Sequence, residues 1–517
     1  MPPGMSGTAE GTEQLLARRA LAQEREEQAK AKQHERGGQT ARERIDRLLD
    51  DGSFTEVDRY RREALGPPGT PRPEGDAVVT GHGTVDGRPV AVYAQDFTVL
   101  GGSVSLTVGQ KVAKVMDLAA KSGMPIVGIN DSGGARIQGG LVALTGYGEI
   151  FRRNVQFSGM VPQLSLMMGP CAGGAAYSPA MTDFVLMVRQ SSYMFVTGPE
   201  VIRAVTGERV DAETLGGADT HATRSGVAHL AVDSEDECIE DAQALLSFLP
   251  SNYRELPPDV PPGEAPANHR EVGRIIPDDP SRSYDMRKVI RALVDDEDFL
   301  EIQPEWATTM ICGFARLDGM AVGIYGNQPM VRAGVIDIDA SEKASRFIRT
   351  CNAYNVPLVC FADVPGYLPG VEQEWGGIIR HGAKLIFAWT EATVPKLTIN
   401  TRKAYGGAYG VMGAKQLLGD VNLAWPQAEL AVMGAEGAVS VLGRKELKEA
   451  ADPDAKRAEL LERYRRELLT PYPAAERGYV DDVIDPAETR DKLIAALHML
   501  RPKYQPTSDR KHSNIPL

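Results

Sequence analysis

The second half of this chain repeats the first. Val85-Asp86-Gly87 and Val90-Ala91-Val92-Tyr93 match Leu317-Asp318-Gly319 and Val322-Gly323-Ile324-Tyr325, 232 residues later. The same offset carries Lys111 onto Lys343, and Pro125-Ile126-Val127 through Asp131 onto Pro357-Leu358-Val359 through Asp363. One residue of slippage then aligns Gly173-Gly174-Ala175 with Gly406-Gly407-Ala408. Upstream, Asp50-Asp51 before Phe54 answers to Asp295-Asp296 before Phe299; downstream, Gly198 and Glu200 answer to Gly434 and Glu436. Ordered matches at a nearly constant offset mean two copies of one domain, because solenoid repeats run only about 20–50 residues.

Prolines 257, 258, 261, 262, 266, 277 and 280 crowd residues 255–281, which read as the linker. The expected organisation is a polar helical extension at 1–39, a first domain at 40–254, the linker, and a second domain at 282–517. In the first copy the apolar runs 90–93, 125–129 and 164–168 read as buried strands, and 110–121 shows helical periodicity. In the second copy the strands are 322–325, 357–361 and 396–399, with a helix over 340–352. The fold class is therefore α/β: two tandem domains, each a largely parallel sheet or β-spiral flanked by helices. Thr40 and Glu43 form a capping box for a helix over 41–49, and 15–33 reads as a polar surface helix.

Composition removes several classes. A net charge of −13 argues against nucleic acid and anionic membranes as partners. The five cysteines are scattered without a C-x-x-C pair, which disfavours a zinc ribbon or a disulfide framework and suits a reducing cytoplasm. No apolar run approaches the roughly 20 residues of a membrane span, and no metal site is expected.

The chemistry is concentrated in glycine turns. Gly169-Pro170-Cys171-Ala172-Gly173-Gly174-Ala175-Ala176-Tyr177 follows an apolar strand and precedes a helical segment, as does Arg402-Lys403-Ala404-Tyr405-Gly406-Gly407-Ala408-Tyr409. Small residues there leave backbone N–H groups open to an approaching oxygen, and the helix N-terminus adds positive potential. Either turn alone is more simply explained by tight packing. Two at equivalent positions of duplicated domains point to two oxyanion holes. A further turn, Gly133-Gly134-Ala135, has its counterpart around Gly366-Tyr367, and these turns are expected to line the same clefts. No nucleophile elbow, H-E-x-x-H or Ser/His/Asp set is readable from spacing. Two oxyanion holes without a base suggest that a substrate or cofactor supplies the base.

The residues at 130–138, 169–177, 363–370, 376–387 and 402–409, with the closing Arg510-Lys511-His512-Ser513-Asn514-Ile515-Pro516-Leu517, resemble the carboxyltransferase (β) subunits of biotin-dependent acyl-CoA carboxylases of the propionyl-CoA carboxylase type. The resemblance runs from about residue 40 to the end. It implies two crotonase-like β-β-α spiral domains, the first for acyl-CoA and the second for biotin. Gly173 and Gly174 would hold the thioester enolate oxygen, with Gly133, Gly134, Ala135, Ala175 and Gly410 lining the substrate. Gly407 and Ala408 would hold the ureido oxygen of carboxybiotin, with Gly366, Tyr367, Gly406 and Tyr409 around it. In the implied reaction carboxybiotin releases CO2, its ureido nitrogen takes the α-proton and the enolate attacks CO2. The chain has no Met-Lys-Met biotinylation tag and no room for an ATP-grasp module, so biotin is expected on a partner, with a separate biotin carboxylase. The resemblance also implies a homohexamer with active sites between subunits.

Four positions depart from the propionyl-type pattern: Gly139, Arg332, Asn400 and Gly410. Gly410 removes volume beside the inferred acyl pocket, so a larger or branched acyl group is expected to be accepted better than propionyl. Asn400 and Arg332 are a second candidate source of acyl contacts. A decarboxylase or transcarboxylase running the same chemistry in reverse stays open. A non-catalytic assembly subunit is disfavoured because both glycine pairs are present.

Overall fold

The computed structural model describes residues 8–35, 37–63, 72–279, 282–506 and 509–517. Pro280 of the expected linker, and residues 1–7 of the expected extension, lie outside them. The chain divides into two compact units, Met1–Leu246 and Ser247–Leu517.

The first unit opens with helix α1 (Thr8–His34) and helix α2 (Ala41–Leu48). Thr40 caps α2 with both halves of the capping box formed, its side chain accepting from the Glu43 N–H and its own N–H donating to Glu43. The eight strands of this unit are β1 (Thr55–Glu56), β2 (Val78–Val85), β3 (Arg88–Gln95), β4 (Ile126–Ser132), β5 (Gln163–Ala172), β6 (Phe184–Val188), β7 (Tyr193–Phe195) and β8 (Leu230–Val232). They form one sheet in the order β1-β2-β3-β4-β5-β6-β8, with β7 pairing β5. β2 pairs antiparallel with both β1 and β3; from β3 onward every pairing is parallel.

Helices α3 (Leu106–Ser122) and α4 (Leu141–Phe157) cover this sheet. Ser105 starts α3 by accepting from the Val108 N–H, and Gly123 ends it at φ 66°. Its buried face, Val108, Val112, Val115, Met116 and Ala119, follows the helical period and joins Ile126, Tyr147 and Met167 in the core. A Cβ on Gly109 would stand 2.3 Å from the Gly146 carbonyl oxygen, so α3 and α4 meet backbone to backbone.

The second unit reproduces this plan strand for strand. Its members are β9 (Phe299–Glu301), β10 (Met310–Leu317), β11 (Met320–Asn327), β12 (Leu358–Val364), β13 (Lys396–Tyr405), β14 (Val421–Ala424), β15 (Glu429–Ala431) and β16 (Asp482–Val483). The order is β9-β10-β11-β12-β13-β14-β16, with β15 pairing β13. The register repeats too: Ala91 faces Ile126 as Gly323 faces Leu358, and Ser132 faces Cys171 as Val364 faces Ala404. The duplication read from the sequence is thus a duplication of topology. The expected strands and helices all overlap observed elements; Pro125, Pro357 and Leu49 fall one residue outside theirs, and most of the observed elements extend further than expected at the other end.

Each unit also carries a fully buried lysine on its first covering helix. Lys111 Nζ donates to the Gly75 and Val78 carbonyls at 2.6 Å each. Lys343, on the helix Ile338–Ala353, donates to the Gln303 and Trp306 carbonyls at 2.7 and 3.0 Å.

Candidate active site

In the first unit β5 leads into Gly173, whose φ of 62° and ψ of −121° suit glycine and turn the chain into helix α5 (Gly174–Ala180). The Gly173 N–H donates to the Phe195 carbonyl at 3.0 Å, so this residue contributes the turn itself. The N–H groups of Gly174 and Ala175 lie in the first turn of α5 and have no acceptor among the described residues. Gly174 is half-buried and Ala175 buried.

The loop 133–135 lies against this turn, because a Cβ on Gly134 would stand 3.0 Å from the Ala172 carbonyl oxygen. Its N–H groups are committed internally: Gly133 donates to the Gly101 carbonyl and Gly134 to Ser132 Oγ. Ala135 bridges to Val104. Arg136 holds the loop from beneath, with Nη2 2.7 Å from Asp76 Oδ1 and Nη1 3.1 Å from Asp76 Oδ2, both residues buried. The sequence singled out none of Arg136, Asp76 and Tyr147 for a role here. The Tyr147 ring covers Gly174, 2.9 Å from where a Cβ would stand.

In the second unit β13 leads into Gly406 at φ 57°, followed by the helix Gly406–Val411. The Gly407 and Ala408 N–H groups have no acceptor among the described residues. Gly407 is exposed, and a Cβ there would meet nothing within 4 Å. The loop at Gly366 and Tyr367 occupies the place that Gly134 and Ala135 hold in the first unit. Ile336 bridges to Tyr367 as Val104 bridges to Ala135, and the Ile336 N–H donates to the Gly366 carbonyl. The Tyr367 hydroxyl rests against Gly382, 2.8 Å from a Cβ position. Tyr409 packs on the small apolar cluster of Ala404, Ala424, Ala428, Leu430 and Val480.

One buried aspartate sits behind each turn. Asp131 accepts from Arg44 of α2, Nη1 to Oδ2 at 3.0 Å, and burial pushes its carboxyl up to about 6 although Arg44 pulls the other way. Asp363 accepts from Arg402 Nε at 3.0 Å, the Lys403 N–H at 3.1 Å and the Tyr284 hydroxyl at 2.9 Å. Burial, then the Asp363 charge, pushes the Tyr284 phenol well above its ordinary value, so it remains a donor.

The four departing positions separate. Asn400 is fully buried within β13, where Nδ2 donates to the Leu423 carbonyl at 3.0 Å; it is a core residue and is not open to an acyl chain. Arg332 is exposed, its Nη1 3.8 Å from Asp337. A Cβ on Gly139 would touch only Ala143, and one on Gly410 only Leu417 Cδ1, at 4.0 Å. No group of three or more potential metal ligands occurs among the described residues, and no described helix is long and apolar enough to cross a membrane.

Comparison with known proteins gives this geometry its context. The carboxyl transferase domain profile matches residues 32–515. A propionyl-CoA carboxylase carboxyltransferase subunit of Haloferax mediterranei is 55% identical over 491 residues, covering 94% of this chain and 95% of its own. The methylmalonyl-CoA decarboxylase subunit alpha of Veillonella parvula is 53% identical over 489 residues, covering 94% of each. The solved structure of transcarboxylase 12S, a hexamer with methylmalonyl-CoA bound, superposes with a TM-score of 0.96 at 49% identity, covering both chains completely. The fold is accordingly that of two tandem crotonase-like domains.

Proposed function

We propose that this chain, which belongs to the carboxyl transferase domain family, moves a carboxyl group between biotin carried on a partner protein and the α-carbon of a short-chain acyl-CoA. It is a carboxyltransferase; the substrate, the partner and the residue roles are our reading. The observation that carries it is the pair of equivalent turns, each presenting unpaired N–H groups, in two units of identical topology.

In the first unit the Gly173-Gly174 turn, with Ala175, holds the thioester oxygen of acyl-CoA. Its N–H donors stabilise the charge that builds there when the α-proton leaves, each contributing on the order of 2.7–4 kcal/mol. Gly133, Gly134 and Ala135 form the wall beside it. In the second unit the space above Gly407 and the unpaired N–H groups of Gly407 and Ala408 suit a ureido carbonyl oxygen, so the residues present fit biotin. When bound, biotin supplies the carboxyl group and a ureido nitrogen able to accept the α-proton. Gly406 provides the turn, and Gly366 and Tyr367 the neighbouring wall.

The partner is a biotin carboxyl carrier with its biotin carboxylase, the assembly a homohexamer like the 12S transcarboxylase, and the compartment the cytoplasm. The functional domains are residues 40–254 and 282–517, with 255–281 between them. The reverse direction is supported by the 53% identity to a decarboxylase subunit, and the partner would set it. The test is ATP-dependent fixation of labelled bicarbonate across an acyl-CoA panel, with a biotinylated carrier and biotin carboxylase supplied. Label is expected in a short-chain acyl-CoA. Labelled carrier with no transfer to any acyl-CoA would defeat the reading.

A further inference from the structure

The duplicated sheets place Asp131 and Asp363 at the same point, the end of the strand beside each glycine turn. Both sit next to a register shift, between Asn130 and Ser132 in one unit and Ala362 and Val364 in the other. Each carboxylate is buried, 3% and 0% exposed, and each is answered by a buried arginine. The arginines come from different places. In the second unit Arg402 belongs to β13 itself, four residues before Gly406. The first-unit residue equivalent to Arg402 is Gly169, and a side chain there is impossible because a Cβ would stand 2.0 Å from Asp131 Oδ1. The next pair differs in the same sense. Lys403 donates its N–H to Asp363 Oδ1, and its counterpart Pro170 has no N–H to donate.

The first unit takes its guanidinium from outside the strand. Arg44, on α2, donates Nη1 to Asp131, Nη2 to the Met168 carbonyl of β5 at 3.4 Å, and Nε and Nη2 to Glu235 at 2.9 and 2.6 Å. In the second unit the cluster is local: Arg402 and Lys403 on the strand, with Tyr284 closing it from Asp363 Oδ2 and the Arg402 Nη1 reaching the Arg282 carbonyl.

We propose that these are two independent positioning devices, Arg44–Asp131–Glu235 for the first glycine turn and Arg402–Asp363–Tyr284 for the second. Each carboxylate fixes the strand end from which its turn departs, so each cluster governs one substrate. Displacing a binding group by a fraction of its productive geometry costs as much as about 100-fold even from a distance. The N-terminal helix α2 therefore belongs functionally to the acyl-CoA half. This inference rests on the assignment of the first turn to acyl-CoA and the second to biotin.

The experiment uses the full-length protein with methylmalonyl-CoA as carboxyl donor and free biotin as acceptor, varying each at saturation of the other. Wild-type transfer tests the underlying reading; the variants test the inference. Asp363→Asn is expected to raise the KM for biotin about 10-fold or more, leaving that for the CoA thioester unchanged, and Arg44→Lys to do the reverse. Tyr284→Phe, which removes the hydroxyl shared by Asp363 and Thr401, and Glu235→Gln, which removes one of the two oxygens facing Arg44, should each give the split of its own unit in weaker form should the stronger variants fail to fold. Arg402→Lys, which restores a cation beside Asp363, should recover part of what Arg402→Ala loses. Equal shifts of both KM values, or loss of melting temperature with neither KM moved, would overturn the proposal. No transfer by folded wild type would instead defeat the assignment beneath it.

Discussion

The Tyr147 ring lies on Gly174, with Cδ2 2.9 Å and Cε2 3.0 Å from the point where a Cβ would stand. At the equivalent glycine of the second unit, Gly407, a Cβ would meet nothing within 4 Å among the described residues. The two turns share a backbone but not a roof.

That difference decides which substitution is informative. A valine at 174 must push Tyr147 aside, and overpacking of this kind costs about 1–3 kcal/mol, so loss of activity there mixes chemistry with folding. A Cβ at 407 meets no atom of the described residues within 4 Å, so a valine there fits and is expected to obstruct the approach to the turn. Gly407→Val is expected to melt with wild type while kcat falls on the order of 10²–10³-fold, the effect of losing an oxyanion donor. Thermal melting beside the transfer assay checks it. A stable Gly407→Val enzyme at full rate would remove the second oxyanion hole from the mechanism.

Lys111 and Lys343 tie the segments before β2 and β10 to the covering helices. Desolvation pushes both ammonium groups from 10.5 down to about 8. The unfolded chain therefore holds more protons than the folded one between those values, and stability from these groups grows as pH rises through that window. It is lost as pH falls from 10.5 to about 8, below which both states hold the proton and the dependence ends. Lys343→Met leaves the Gln303 and Trp306 carbonyls without this donor, at a cost of about 1–3 kcal/mol for each left unsatisfied. In urea melts between pH 7.5 and 10.5, the part of the wild-type stability that rises with pH should shrink in the variant. An unchanged pH slope would mean that Lys343 does not titrate in this range.

Topology was legible because a duplication is visible as spacing: the offset that matches Ala91 to Gly323 and Ile126 to Leu358 recurs in the sheet register. The glycine turns were legible because a positive φ at 173 and 406 demands glycine. What sequence could not show were contacts across distance. Nothing in the spacing of Arg44 and Asp131, 87 residues apart, announces a buried pair. A signal was available in hindsight: Gly169-Pro170 breaks the internal match to Arg402-Lys403. Asn400 misled for the opposite reason, since its polarity suggested a ligand contact whereas its side chain spans to β14 inside the core.

Arg136 and Asp76 make a further test of how the first turn is held. Both are buried, they share two hydrogen bonds, and Asp76 also accepts from Ser105 Oγ, which caps α3. Removing one partner of such a pair strands the other charge, a loss of about 3–5 kcal/mol. Arg136→Met should therefore lower the melting temperature of the first unit, and adding Asp76→Asn should return part of the loss. A double variant worse than the single by the full additive amount would show that the two residues act separately.

Gly410 follows the second glycine turn, within the helix Gly406–Val411. A Cβ there would approach only Leu417, at 4.0 Å, so the backbone accepts a side chain and the space is open. On the proposed reading that Gly410 borders the acyl group, its missing volume should favour an acyl group larger than propionyl, each added methylene contributing about 0.8 kcal/mol when buried. Discrimination of that origin amounts to roughly 4-fold per methylene, so the ranking of substrates should shift without any of them being excluded. Gly410→Ile fills the space, and its effect should fall on the longest and most branched acyl groups first. The measurement is kcat/KM for acetyl-, propionyl-, butyryl- and a branched acyl-CoA in both proteins. Wild type should favour butyryl or the branched thioester, and the isoleucine variant should return the preference to propionyl. A wild type that prefers acetyl- or propionyl-CoA, with the order unchanged by Gly410→Ile, would show that this glycine does not border the acyl group.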